Sequence, residues 1–161
     1  MKYRNMLPKD WEVVKHIYLQ GIATGNATFQ KEAPDWEEWD KAHLSFGRIV
    51  SFDDTGVITG WAALSPISSR CVYAGVAEVS VYIATAHYGR KIGTGLLEAL
   101  VVESEYKGIW TLQAGIFPEN KSSIRIHEKN GFRVVGYREK IGHMDGIWRD
   151  TLLLERRSKI I

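Results

Sequence analysis

The chain has 161 residues, of which 45% are hydrophobic and 25% charged. That is the balance and length of one compact globular domain, and it excludes disordered and fibrous classes. Lys and Arg total 21 against 19 Asp and Glu, a formal charge of +2, too even for a dedicated nucleic-acid binder with a concentrated basic face. No apolar run approaches the roughly 18 residues of a membrane span, and the N-terminus MKYRNMLPKDWE has no signal-like apolar stretch. A cytoplasmic location without a membrane partner is expected. The single cysteine, Cys71, excludes an internal disulfide and a Cys-rich metal site, and the five histidines are too scattered for a zinc-binding spacing. No metal is expected.

Nothing resembles an internal repeat or a linker, so residues 1–161 read as one domain. Residues 2–6 form a first strand. Pro8 then opens a helix, with Trp11, Val14, Ile17, Tyr18 and Ile22 at three- and four-residue spacings. Residues 23–34 are turn-rich, and Asp35 is placed to cap a second helix over WEEWDKAHL. The strands Gly47–Phe52 and Val57–Leu64 follow, joined by an Asp53–Gly56 turn. After a loop, VAEVSVYIA over 76–84 is the strongest strand in the chain. A helix over roughly 90–107 ends at Gly108. A strand Ile109–Ile116, a helix after Asn120, and two strands near 131–141 and 147–156 complete the order β-α-α-β-β-β-α-β-α-β-β. The expected class is α/β (α+β), a mixed, mostly antiparallel sheet with flanking helices.

The junction between strand 76–84 and the next helix carries the most chemical information. Backbone N–H groups at a helix start lack intrahelical partners, and the dipole makes that end positive. Gly93 and Gly95 remove side chains where a pyrophosphate would approach, and Arg90 and Lys91 add charge. A diphosphate ligand is implied. A dinucleotide fingerprint does not fit, because the motif sits mid-chain and lacks a third glycine at the required offset.

Arg90-x-x-Gly93-x-Gly95 between strand and helix resembles the acetyl-CoA pyrophosphate loop of the GNAT N-acetyltransferase superfamily. Asn120–Phe132, an Asn-initiated helix closing on Gly131-Phe132, resembles the second half of the same cofactor core. Thr28-Phe29, Trp36–Trp39, Arg70-x-x-Tyr73, Ala77–Tyr82 and the segment Gly142–Asp150 narrow the resemblance to the phosphinothricin / methionine sulfoximine N-acetyltransferases, over nearly the whole chain. The resemblance implies a GNAT fold of about seven strands with a splayed central pair. It also implies a cytoplasmic, mostly dimeric enzyme that moves acetyl from acetyl-CoA to the α-amine of a glutamate-like amino acid.

Strand alternation places Glu78, Ser80 and Tyr82 on one face and Val79, Val81 and Ile83 on the core face. A carboxylate in a central strand is costly unless paired or functional. Glu78 is therefore either the general base for the attacking amine or one half of an ion pair with a neighbouring Arg. His127 stands where many GNAT enzymes carry Tyr; it either protonates the leaving thiolate or assists Glu78, or it is a packing histidine. Arg70 beside Tyr73 is a candidate carboxylate reader, with Phe29 and Tyr82 as pocket walls and His143 or Arg149 reaching in from the last hairpin. For Arg70 and Arg149 a solvated surface charge is the alternative. Trp36, Trp39, Trp61, Trp110 and Trp148 read as core, and Cys71 as an inert small hydrophobe.

For the cofactor, the resemblance implies strand-like hydrogen bonding by the backbone at Val81 and Ile83, with an oxyanion donor near Tyr82. The pyrophosphate would lie on Gly89, Arg90, Lys91, Ile92, Gly93, Thr94 and Gly95. Asn120 and Ser123 would hold the pantetheine or phosphate portion, and Lys129 the adenosine 3′-phosphate. Two other functions remain open: a GNAT enzyme for another amine (polyamine, aminoglycoside or protein lysine), and a non-catalytic acyl-CoA-binding protein.

Overall fold

The computed structural model describes residues 1–161. Its seven strands form one sheet in the order β1-β2-β3-β4-β5-β7-β6. The elements are β1 (Lys2–Asn5), α1 (Trp11–Ala23), α2 (Trp36–Ala42), β2 (Arg48–Phe52), β3 (Ile58–Pro66), β4 (Val76–Ile83), α3 (Ile92–Tyr106), β5 (Thr111–Ile116), α4 (Lys121–Lys129), β6 (Arg133–Met144) and β7 (Ile147–Arg157). Each matches an element expected from the sequence. All neighbouring strands run antiparallel except β4 and β5.

Strand alternation divides the core between the two faces of the sheet. Ile49, Ala62, Leu64, Ala77 and Val79 pack against Leu96, Leu97 and Leu100 of α3. The intervening residues Val50, Trp61 and Ala63 face Trp11, Val14, Ile17 and Tyr18 of α1 and Trp39 of α2. A one-residue register slip in β3 would exchange these two sets, so burial on both faces fixes the pairing. Each buried Leu or Ile side chain contributes roughly 1.5–3 kcal/mol relative to exposure.

Local caps set the helix starts. Asp35 accepts the Glu38 amide at 2.8 Å and Glu38 accepts the Asp35 amide at 3.3 Å, a reciprocal box that begins α2 at Trp36. Before α1, Pro8–Asp10 form a short 3-10 turn. Buried Asp10 accepts two hydrogen bonds from Arg4 (2.6 and 2.9 Å) and one from the Leu7 amide, tying β1 to the helix entry. Two expectations need correction. Trp148 is 59% exposed, tilted against His143 rather than in the core, because β7 there pairs only with the edge strand β6. Cys71 is exposed, in a short turn before β4.

The relationship that makes a site is the divergence of β4 from β5. Their parallel pairing covers only Val76–Glu78 against Thr111–Gln113. Beyond Glu78, β4 remains bonded to β3 as far as Ile83 while its other edge is open. The backbone of residues 79–83 thus has unpaired donors and acceptors facing a wedge between two strands.

Candidate active site

A cavity of about 1070 Å³ occupies this wedge, running from the start of α3 past β4 to the loop between α1 and α2. Three parts of the chain build its polar walls.

The first is the turn from β4 into α3. Residues Gly89–Thr94 line the cavity. Gly89 has a φ of +77° and Lys91 a φ of +61°, so the chain folds tightly before the helix begins at Ile92. The left-handed conformation at Lys91 costs a non-glycine residue roughly 1–2 kcal/mol. It places a cation at the positive end of a 15-residue helix. Such an arrangement suits an anion, with amides, dipole and side-chain charge converging. Gly95 is one position deeper than the lining residues. A Cβ there would stand 2.0 Å from the Tyr3 hydroxyl, so its missing side chain admits β1 against α3. Glycine near a helix start thus serves two different ends within three residues.

The second part is α4. The Asn120 side chain accepts the Ser123 amide at 3.2 Å and donates to the Asn26 carbonyl at 3.1 Å, which fixes the helix start against the α1–α2 loop. Both Asn120 and Ser123 line the cavity. One turn later His127 reaches the same cavity, 4% exposed. Its Nδ1 lies 2.8 Å from the Ser123 carbonyl and must be the donor, while Nε2 is buried with no protein partner. Burial holds its pKa below the ordinary value, the carbonyl contact only partly offsetting it. The resting imidazole is neutral, with the Nε2 lone pair unused. Lys129, on the last turn of α4, is exposed and outside the cavity lining.

The third part is β4 with the α1–α2 loop. Glu78, Ser80 and Tyr82 share the face towards α1, as alternation required, and all three line the cavity. Glu78 forms no ion pair. Its carboxylate opens into the cavity, yet surrounding protein raises its pKa above the ordinary range, and the charge of Arg138 partly opposes this. The Tyr82 ring stacks on Trp61 at 4.8 Å and meets Tyr18 edge-on at 4.9 Å. Burial pushes the Tyr82 hydroxyl far above its usual pKa, so it remains protonated. Phe29 lines the opening and is held edge-on against Phe117 at 4.8 Å. A Cβ on Gly142 of β6 would stand 2.5 Å from its ring, so that glycine permits the contact.

The remaining sequence candidates lie elsewhere in this chain. Arg70 stacks over Tyr73 at 5.6 Å in the exposed turn before β4, and neither lines the cavity. His143 contacts Trp148 on the outer hairpin, also outside the lining. Arg149 is neither solvated nor in the cavity. Its guanidinium lies 4.0 Å from the Phe117 ring centroid and donates to the Gly25 carbonyl (3.0 Å) and to Asn26 Oδ1 (2.8 Å). It thereby clamps the loop that carries Phe29. Sequence reading missed Arg138, Gln30 and Tyr18 as lining residues. Arg138 sits in the run RVVGYREK, which has the look of a solvated edge strand. Only the β-bulge between Arg138 and Gly142, with Lys140 at φ +48°, shows which way the strand turns.

A strand wedge, a glycine-bearing helix start at its mouth and an unpaired carboxylate on its wall make an arrangement suited to an anionic ligand beside a titratable group. The chain belongs to the acetyltransferase (GNAT) family, whose model matches residues 10–132, and it is an N-acetyltransferase. YwnH of Bacillus subtilis (strain 168), provisionally named a phosphinothricin acetyltransferase, is 34% identical over 152 residues, covering 92% of this chain and 93% of that protein. An L-methionine sulfoximine/L-methionine sulfone acetyltransferase of Salmonella typhimurium (strain LT2) is 28% identical over 150 residues, 91% of this chain and 88% of the other. The crystal structure of a GNAT superfamily phosphinothricin acetyltransferase from Sinorhizobium meliloti in complex with AcCoA superposes with a TM-score of 0.87 at 26% identity, covering 97% of this chain and 87% of that one.

Proposed function

We propose that the enzyme, with residues 1–161 as one domain, transfers acetyl from acetyl-CoA to the α-amine of a small amino acid of the glutamate, phosphinothricin or methionine sulfoximine kind. The observation that carries this reading is the position of Glu78. It is the last β4 residue paired with β5, at the root of the wedge, in a cavity that Arg138 also lines. The relatives named for acetyltransferases of such amino acids support the acceptor class.

In this reading the amides of Gly89–Thr94, with Arg90 and Lys91, hold the pyrophosphate. The open edge at Val81 and Ile83 holds the pantetheine as an added strand would. Acetyl-CoA supplies the activated thioester; the protein supplies position and proton management. An α-amine is mostly protonated at neutral pH, with an unperturbed pKa of about 7.7–8.0. Glu78, its basicity raised by its surroundings, accepts the proton directly or through water, and the neutral amine attacks the thioester carbonyl. A backbone N–H near Tyr82 stabilises the oxyanion. His127 is neutral at rest, so it cannot be the resting proton donor to the thiolate. After the amine has attacked, the His127 Nε2 lone pair can take the second proton from the nitrogen of the tetrahedral intermediate and give it to the sulfur as the C–S bond breaks, a relay rather than a reservoir.

We also infer a homodimer in the cytoplasm. The β6–β7 hairpin exposes Val134, Val135, Tyr137, Ile141, Ile147 and Trp148, an apolar surface on an edge strand that a second copy would cover. Arg70, Tyr73 and His143 lie outside the lining of their own chain's cavity, so they would serve an acceptor only across such a contact. An exposed thiol at Cys71 suits a reducing compartment. The test is thiol release from acetyl-CoA against methionine sulfoximine, phosphinothricin, the standard amino acids and polyamines. Turnover confined to amino acids supports the reading; turnover confined to polyamines overturns it.

A further inference from the structure

The β6–β7 hairpin carries five arginines, and four of them are committed within the chain. Arg133 pairs with Glu155, Arg149 clamps the α1–α2 loop, Arg156 binds Glu105 at 2.8 Å, and Arg157 donates to three backbone carbonyls. Arg138 alone has no hydrogen bond and no ion pair, yet it is the one of the five that lines the cavity. The other cations in the lining are Arg90 and Lys91, just before α3, and Lys121 and Arg125 of α4. Arg138 reaches the cavity from β6, opposite Thr151 of β7, and its charge is the one that acts on the Glu78 carboxylate. The other titratable neighbour of Glu78 is Tyr82, on the same strand, and it stays neutral.

We propose that Arg138 is a specificity-determining residue that receives the carboxylate of the acceptor, so that Glu78 and Arg138 together read the amine and the carboxylate of one zwitterion. The inference rests on the amino-acid reading above and gives it a recognition group. A planar guanidinium binds a carboxylate through two parallel charge-assisted hydrogen bonds. An unpartnered guanidinium offers that fork without first breaking another contact. The reversed orientation, carboxylate towards Glu78, brings like charges together and is rejected. A polyamine or a lysine side chain meets Arg138 with a like charge and nothing to neutralise it. A carboxylate seated on Arg138 also offsets the positive field that opposes Glu78 as a base, so the correct acceptor sharpens the base that deprotonates it.

The test compares L-methionine sulfoximine with its α-carboxamide, and spermidine, as acceptors for the wild type, Arg138→Met and Arg138→Lys. Taking the acid-to-amide ratio of kcat/KM within each protein cancels the intrinsic difference between the two amines. The ratio should fall about 10–100-fold in Arg138→Met, the range for a lost charged hydrogen-bond pair, mainly through the KM for the acid. Arg138→Lys should recover part of it. The KM for acetyl-CoA and the melting temperature should stay at wild-type values, because Arg138 holds nothing else in place. An unchanged ratio in Arg138→Met overturns the proposal while leaving the amino-acid reading intact. Wild-type turnover of spermidine but of neither methionine sulfoximine nor any standard amino acid overturns both, and is seen before any variant is made.

Discussion

The imidazole of His127 is fixed by one hydrogen bond, from Nδ1 to the Ser123 carbonyl at 2.8 Å, and this leaves Nε2 buried without a partner. The bond joins residues one helical turn apart, so helix geometry itself orients the ring. Its consequence reaches beyond catalysis, because a histidine buried in its neutral form couples folding to pH.

The folded-state pKa of His127 lies below the unfolded value of about 6.5. Above that pH both states are neutral and the folded protein has its full stability. As pH falls, the unfolded chain takes up the proton first, so stability declines through the region below about 6.5. His43, half-buried and stacked on Trp39, acts in the same direction. Asp10, held down by Arg4, acts only in the lower window near ordinary carboxylate values, about 3.9. Denaturant melts of His127→Asn, whose amide can keep the bond to Ser123, should show a shallower decline between pH 6.5 and 5 than the wild type. Parallel curves would remove His127 as a source of the effect.

Replacing Glu78 by Gln should lower turnover about 10²–10⁴-fold, the usual worth of a positioned general base. Stability should move the other way. The raised pKa of Glu78 means that the folded state favours its neutral form, so the ionised carboxylate is a liability once pH rises past the carboxylate range. Glu78→Gln should therefore melt at or above the wild-type temperature at pH 7. A variant that is both active and unchanged in stability would exclude Glu78 from either role.

Lys91 holds a left-handed backbone where glycine would be strain-free. Lys91→Gly should stabilise the ligand-free protein by up to about 1 kcal/mol. It should also weaken acetyl-CoA, since the loop loses a cation at the helix start. Thermal shift with and without cofactor measures both. A gain in stability together with unaltered affinity would show that the charge at Lys91 is idle.

Gly95→Ala separates packing from ligand approach. A Cβ at this position meets the Tyr3 hydroxyl at 2.0 Å, so β1 or its tyrosine must shift. Stability should fall by about 1–3 kcal/mol, the range for overpacking, with the KM for acetyl-CoA close to wild type. A large rise in that KM with a normal melting temperature would return Gly95 to the phosphate loop.

Element order and type were legible in the sequence because they follow from local rules: a Pro at a helix entry, an Asp35–Glu38 capping box, strict alternation through β4. The facing of Glu78 was legible for the same reason, since period-two geometry leaves no third choice. The glycine-bearing turn before α3 was legible as a region, but not the division of labour within it, because Gly93 and Gly95 look alike until β1 is known to lie against α3. The hairpin was the least legible part. Alternation is broken at the 138–142 irregularity, so residue types alone did not show that Arg138 lines the cavity, that Arg149 clamps the Phe29 loop or that Trp148, expected in the core, is exposed. Backbone periodicity and helix ends are written residue by residue, so the chain alone determined them. Which cation meets which carboxylate depends on strands far apart in sequence, so only the folded arrangement decided it.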